Sequence, residues 1–124
     1  MPDIKPVRWI ASSKSDLSSM PADVRRRIGL ALSFAQSGKK NSDAKVLKGF
    51  GSADVVEVIA RHDGDAFRLV YTVKFQEAVY VLHAFQKKSM SGIATPQHEL
   101  ELVRSRLKLA QADYLGWMKS KGKT

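Results

Sequence analysis

Apolar and polar residues alternate with period two in three consecutive stretches, Val55 to Arg61, Ala66 to Lys74 and Ala78 to Gln86, and this pattern predicts three β-strands. Asp63-Gly64 stands between the first two and signals a hairpin, because a type I′ turn requires positive φ at both central positions. A second turn near Gln76-Glu77 returns the third strand along the second, so the three form an antiparallel meander. Val7-Arg8-Trp9-Ile10 predicts a further short strand. Elsewhere the period is helical. Ser15-Asp16-Leu17 begins a helix that Pro21 restarts from a first-turn position, and Val24, Ile28, Ala31, Leu32 and Ala35 then share one face up to a stop at Gly38. The stretch from Lys39 to Lys45 has no period and is expected to be an exposed loop. Thr95-Pro96 predicts the start of a long last helix, with Thr95 as its cap. Leu100, Val103, Leu107, Ala110, Tyr114 and Trp117 recur on this helix three and four apart, a stripe that docks on the core first and on a partner second. Residues 119–124 are expected to fray.

Parity assigns the strand side chains to two faces. Val56, Val58, Ala60, Phe67, Leu69, Tyr71, Val73, Tyr80, Leu82 and Ala84 share the expected core face. Glu57, Ile59, Arg61, Arg68, Val70, Thr72, Lys74, Val79, Val81, His83, Phe85 and Lys87 share the other. Two-residue turns set Arg68 between Ile59 and Phe85, and Val70 between Glu57 and His83, so Glu57, Arg68 and His83 converge. The fold expected is one α+β domain over residues 1–124, a twisted, mainly antiparallel sheet with two N-terminal helices on one face and a C-terminal helix beside it.

Charge narrows the partners. Lys and Arg number 21 against 12 acidic residues, a formal charge of +9 with a pI near 10.0, which favours a polyanionic or acidic partner without naming a chemistry. Cysteine is absent, so disulfides, thiolate nucleophiles and zinc–thiolate sites are excluded. The three histidines lack metal-ligand spacing, and neither a signal region nor a membrane span is evident. A soluble, cytoplasmic protein without metal or cofactor is expected, with no membrane partner and no repeat or second domain.

Asp63-Gly64-Asp65, then Phe67-Arg68-Leu69-Val70-Tyr71, His83-Ala84-Phe85-Gln86-Lys87-Lys88-Ser89 and Thr95-Pro96 resemble the phage-derived HigB-like toxins of the RelE superfamily. The resemblance runs from Val7 to Ala110 and implies a RelE-like fold. It further implies a ribosome-dependent endoribonuclease (an mRNA interferase), the toxin of a type II toxin–antitoxin system, with mRNA and ribosomal RNA as partners and a helix-turn-helix antitoxin as its silencer. In that family the RNA 2′-hydroxyl is the nucleophile, so the protein must orient the phosphate, neutralise developing charge and manage two protons. By this likeness Arg68 holds the scissile phosphate, and Lys87 and Lys88 hold phosphate or stabilise the leaving group. Many relatives carry an arginine two residues after the strand glutamate; Ile59 stands there in this chain, and Arg61 is the substitute. Glu57 and His83 are the candidate bases, ahead of His98. Phe85 is a candidate stacking platform, and Lys39, Lys40 and Lys74 are candidate RNA contacts. Arg68→Ala is expected to abolish toxicity and leave the fold intact.

Each candidate also has a plainer role. Arg68 and Glu57 can form a cross-strand ion pair contributing about 0.2–1 kcal/mol on a solvated face. His83 can be a strand histidine satisfied by its neighbours. Two other functions share the residues: a toxin of the same fold that inhibits DNA gyrase, and a basic module that binds RNA or the ribosome without cleaving.

Overall fold

The turn at residues 63–64 fixes the sheet. Asp63 and Gly64 have φ of 51° and 83°, the pair of positive values a type I′ turn demands, in a computed structural model that describes residues 4–87 and 95–122. The turn joins β3 (Val55–His62) to β4 (Asp65–Thr72), with Ile59 opposite Arg68 and Glu57 opposite Val70. β5 (Val79–Lys87) returns along β4 with Phe85 opposite Arg68 and His83 opposite Val70, so the pairings around the candidate site are those the alternation predicts. β1 (Val7–Trp9) adds to β5 in parallel, and β2 (Ala44–Val46) adds antiparallel to β3. The strand order is β1-β5-β4-β3-β2. β2 occupies the end of the predicted loop; of its three residues only Ala44 is buried, which is why no period announces it.

Helices α1 (Ser13–Ser18) and α2 (Ala22–Gln36) cover one sheet face, where Val24, Ile28, Ala31 and Leu32 pack on Val56, Val58, Leu69 and Tyr71. α3 (Gln97–Ser120) lies against the opposite face, with Val103 and Ala110 in a second core beside Val55, Val70, Tyr80, Leu82 and Phe85. The sheet is therefore the middle of three layers, and the face carrying Glu57, Arg68 and His83 is a covered face rather than a solvated one. α3 continues through Ser120 before the Lys121 cap.

The alternation fails in one strand. Val70 pairs with His83 but Tyr71 pairs with Val81, which leaves Leu82 as an extra residue in β5. A bulge of this kind inverts parity on one side of itself. Tyr80 and Leu82 consequently join the second core, while Val79 and Val81 join the first, opposite to their predicted faces. Ala84 lies on its predicted face in the first core, and Phe85 on its own in the second.

Candidate active site

Cross-strand pairing arranges the covered face in rows. Glu57, Val70 and His83 form one row, Ile59, Arg68 and Phe85 the next, and Arg61, Ala66 and Lys87 the last. Arg61 and Lys87 are thus separated by two strand spacings, roughly 10 Å, on either side of Ala66.

Arg68 is the buried centre of this arrangement, 1% exposed. Its Nη1 donates to both oxygens of Glu57 at 3.3 Å and to Thr95 Oγ1 at 3.1 Å. Thr95 Oγ1 in turn donates to Glu57 Oε2 at 2.7 Å. Thr95 was expected to cap α3; instead Pro96 holds the N-cap position without a side-chain cap, and the threonine hydroxyl closes a three-residue network with the sheet. Burial changes the expectation for Arg68→Ala as well. Removing one member of a buried ion pair leaves a charge in low dielectric, so truncation of Arg68 threatens the fold it was expected to spare.

His83 is buried and stacks on Phe85, with ring centroids 4.7 Å apart and planes 20° from parallel. Its Nε2 lies 2.8 Å from Glu99 Oε1, and its Nδ1 lies 3.1 Å from Arg106 Nη1, which also donates to the Leu82 carbonyl at 3.1 Å. A guanidinium only donates, so Nδ1 accepts, the ring proton sits on Nε2, and that N–H donates to Glu99. Both ring nitrogens are engaged, which fits the role of a histidine satisfied by its neighbours. His98 is well exposed and reaches Glu99 only at 3.9 Å.

The remaining candidates are spread over the molecule. Lys87 is half-buried at the end of β5; Lys88 lies outside the described residues. Phe85 is 9% exposed and its ring is shared between His83 and the second core, so base stacking requires an approach along its edge. Arg61 is exposed and lines a cleft of about 320 Å³ with Arg27, Asp43, Lys45 and Ile59. Lys74 is exposed six residues beyond Arg68 along the chain, about 20 Å away at strand rise, and is not brought to the site. Lys39 and Lys40 follow α2 and line a cavity floored by Tyr71, on the opposite face of the sheet.

Three polar residues that the sequence reading passed over reach β5 or β1 from α3. Glu99 and Arg106 hold His83, and Asp113 accepts from Arg8 Nε at 2.8 Å and from the Tyr80 hydroxyl at 2.6 Å. They recur every seventh residue along one edge of the apolar stripe, and that spacing is the signal that finds them. The Arg8 hydrogen bond draws the Asp113 carboxyl below the usual range, against the opposing effect of burial. Burial first, and the hydrogen bond to Asp113 second, push the Tyr80 phenol well above its ordinary value.

Residues 15–108 match the family described as Phage derived protein Gp49-like (DUF891). The chain belongs to this family. The Gp49-like family is one of RelE/HigB-like toxins, which gives this chain a toxin-like character and points to an antitoxin partner. The match to the Gp49-like family includes Glu57, Arg68, His83, Lys87, Thr95, Glu99 and Arg106, and it ends before Asp113. No curated protein matches the chain. Among the described residues, no helix is long and apolar enough to cross a membrane.

Proposed function

We propose that this Gp49-like chain is the toxin of a type II toxin–antitoxin pair, a HigB-type, metal-independent endoribonuclease that cleaves translated mRNA on the ribosome and is silenced by a helix-turn-helix antitoxin. One observation carries the reading: the buried Arg68–Glu57–Thr95 network adjoins a row in which Arg61 and Lys87 flank Ala66. A guanidinium, a carboxylate and two further cations on one face are what in-line attack by a 2′-hydroxyl needs. In this reading Glu57 accepts the 2′-hydroxyl proton, Arg68 bridges two non-bridging phosphate oxygens, and Lys87 neutralises the departing 5′-oxygen. The phosphate would take the place Thr95 holds on Arg68. His83 positions Phe85 rather than moving protons, because both ring nitrogens are engaged.

The deciding experiment is primer extension on mRNA recovered after brief induction of the wild-type chain, Arg68→Lys and Lys87→Ala. Arg68→Lys is used because it keeps the buried charge while losing the planar fork. Cuts within translated codons that both variants lose would support the ribonuclease. The 1% exposure of Arg68 favours a second reading, in which the chain occludes its ribosomal site without cleaving. Growth arrest with intact mRNA would exclude cleavage and leave occlusion or gyrase inhibition.

A further inference from the structure

On the sheet face away from Arg68, between the C-terminal end of α2 and strands β3 and β4, lies a cavity of about 280 Å³ that the proposed cleavage does not use. Its floor is apolar, formed by Val56, Val73 and the ring of Tyr71, and Lys5, Lys39 and Lys40 stand around it. Lys5 is fixed in place: its backbone N–H donates to the Gln36 carbonyl at 3.0 Å, and Gln36 Nε2 donates to the Lys5 carbonyl at 2.7 Å. Tyr71 is 1% exposed, and among the described residues its hydroxyl has no hydrogen-bond partner. The hydroxyl is not fully enclosed and keeps contact with solvent, so its hydration is not forfeited in the free protein. It belongs to a residue lining the cavity, where a ligand can replace water as its hydrogen-bond partner.

We propose that this cavity is a nucleotide site, in which a base enters against Val56, Val73 and the Tyr71 ring, hydrogen-bonds the Tyr71 hydroxyl, and leaves its phosphate on Lys5, Lys39 and Lys40. The volume is near the lower end of the ~300–1,000 Å³ range of small-molecule sites, so it takes one ring system while the ribose and phosphate lie over the rim. The lysines suit a phosphate because each is a mobile point charge that follows the anion. Their combined charge also outweighs the partial negative charge, roughly half an electron, at the end of α2. Desolvation raises the Tyr71 pKa, which keeps the phenol neutral and able both to donate and to accept. The same chemistry is offered by a free mononucleotide and by one nucleotide of a single-stranded RNA. The site does not depend on the ribonuclease reading, since it shares no residue with the Arg68 face.

The test is amide-resolved NMR titration of the full chain with the four nucleoside monophosphates, a short single-stranded oligoribonucleotide and inorganic phosphate. Shifts centred on Gly38, Lys39, Val56 and Val73 are expected with nucleotide, and Tyr71→Phe should weaken binding about fivefold by removing one hydrogen bond. Lys39→Ala/Lys40→Ala should weaken it further and flatten its salt dependence. Arg68→Lys should bind as the wild type does, so failure at this cavity and failure of the cleavage reading are separable. Response to mononucleotides alone assigns the site to a free nucleotide, and response to the oligoribonucleotide with weak mononucleotide binding assigns it to RNA. Equal shifts with inorganic phosphate, an unaltered affinity in Tyr71→Phe, or no shift at these amides overturns the proposal.

Discussion

Arg106 Nη1 lies 3.1 Å from His83 Nδ1, and the guanidinium dictates the state of the ring it touches. Nδ1 must accept, so Nε2 carries the proton and its N–H donates to Glu99 Oε1 at 2.8 Å. Long-range proton–nitrogen NMR should therefore find His83 as the Nε2–H tautomer at neutral pH. Arg106→Ala should release that preference and destabilise the fold by about 1–3 kcal/mol, because it deprives the His83 nitrogen and the Leu82 carbonyl of one donor together. An Nδ1–H tautomer in the wild type would refute the arrangement.

The pairing of Glu57 with Arg68 makes a different prediction, one about non-additivity. Glu57 and Arg68 are 5% and 1% exposed, so either charge left alone is stranded in low dielectric. Arg68→Met should destabilise by about 3–5 kcal/mol in urea unfolding. Adding Glu57→Gln should recover much of that loss, because no charge is then uncompensated. Thr95→Val should have a smaller effect, about 1 kcal/mol, by removing one hydroxyl from the network. Additive single losses would show that the two residues do not form a coupled pair in solution.

The same network shows how far the sequence could be followed. Alternation placed Glu57, Arg68, His83 and Phe85 on one face with the right cross-strand neighbours; the Asp63-Gly64 turn admits one register for Glu57 and Arg68, and the burial of one face holds the register of β5. Alternation could not foresee Leu82, since a bulge is a property of two strands and not of one, and the faces of Tyr80 and Val81 were inverted in consequence. It also could not show that the face is covered. That depends on where α3 docks, and the apolar stripe of α3 states only that the helix docks somewhere. Thr95 had the local signature of a cap, yet two buried acceptors and donors on the sheet compete for its hydroxyl and win. Lys39 and Lys40 illustrate the reverse limit: as sequence they are basic residues like Arg61, and only the topology sends them to opposite sides of the sheet.

Stability should depend on pH at both extremes through Asp113 and Tyr80. The Asp113 carboxyl is held below its ordinary value of 3.8 chiefly by the Arg8 hydrogen bond, so the unfolded chain binds more protons than the folded one just below that value. Its contribution is complete above the unfolded value and is lost as pH falls through the folded one. The Tyr80 phenol is raised from 10.0 by burial and by Asp113, so the sign reverses: its contribution is complete below pH 10.0 and declines as pH rises beyond it. Asp113→Asn should flatten the acid limb of a thermal-melt profile, and Tyr80→Phe should flatten the alkaline limb. Unchanged limbs in both variants would remove the Arg8–Asp113–Tyr80 cluster from the account of pH stability.

One substitution at two glycines separates backbone conformation from packing. An added Cβ meets nothing within 4 Å at either Gly64 or Gly116, so neither site penalises alanine by crowding. Gly64 has φ of 83°, where an L side chain is strained by about 1 kcal/mol, and it shares the turn that sets the register of Glu57 and Arg68. Gly116 lies exposed inside α3, where alanine loses less conformational entropy on folding and gains about 0.5–1 kcal/mol. Gly64→Ala should therefore lower the Tm by about 3–5 °C, and Gly116→Ala should raise it by a similar or smaller amount. Equal effects of one sign would mean that something other than φ governs these positions. Because the Gly64 turn aligns the candidate site, the proposed function predicts that its variant also loses toxicity in proportion to its lost stability, while Gly116→Ala retains it.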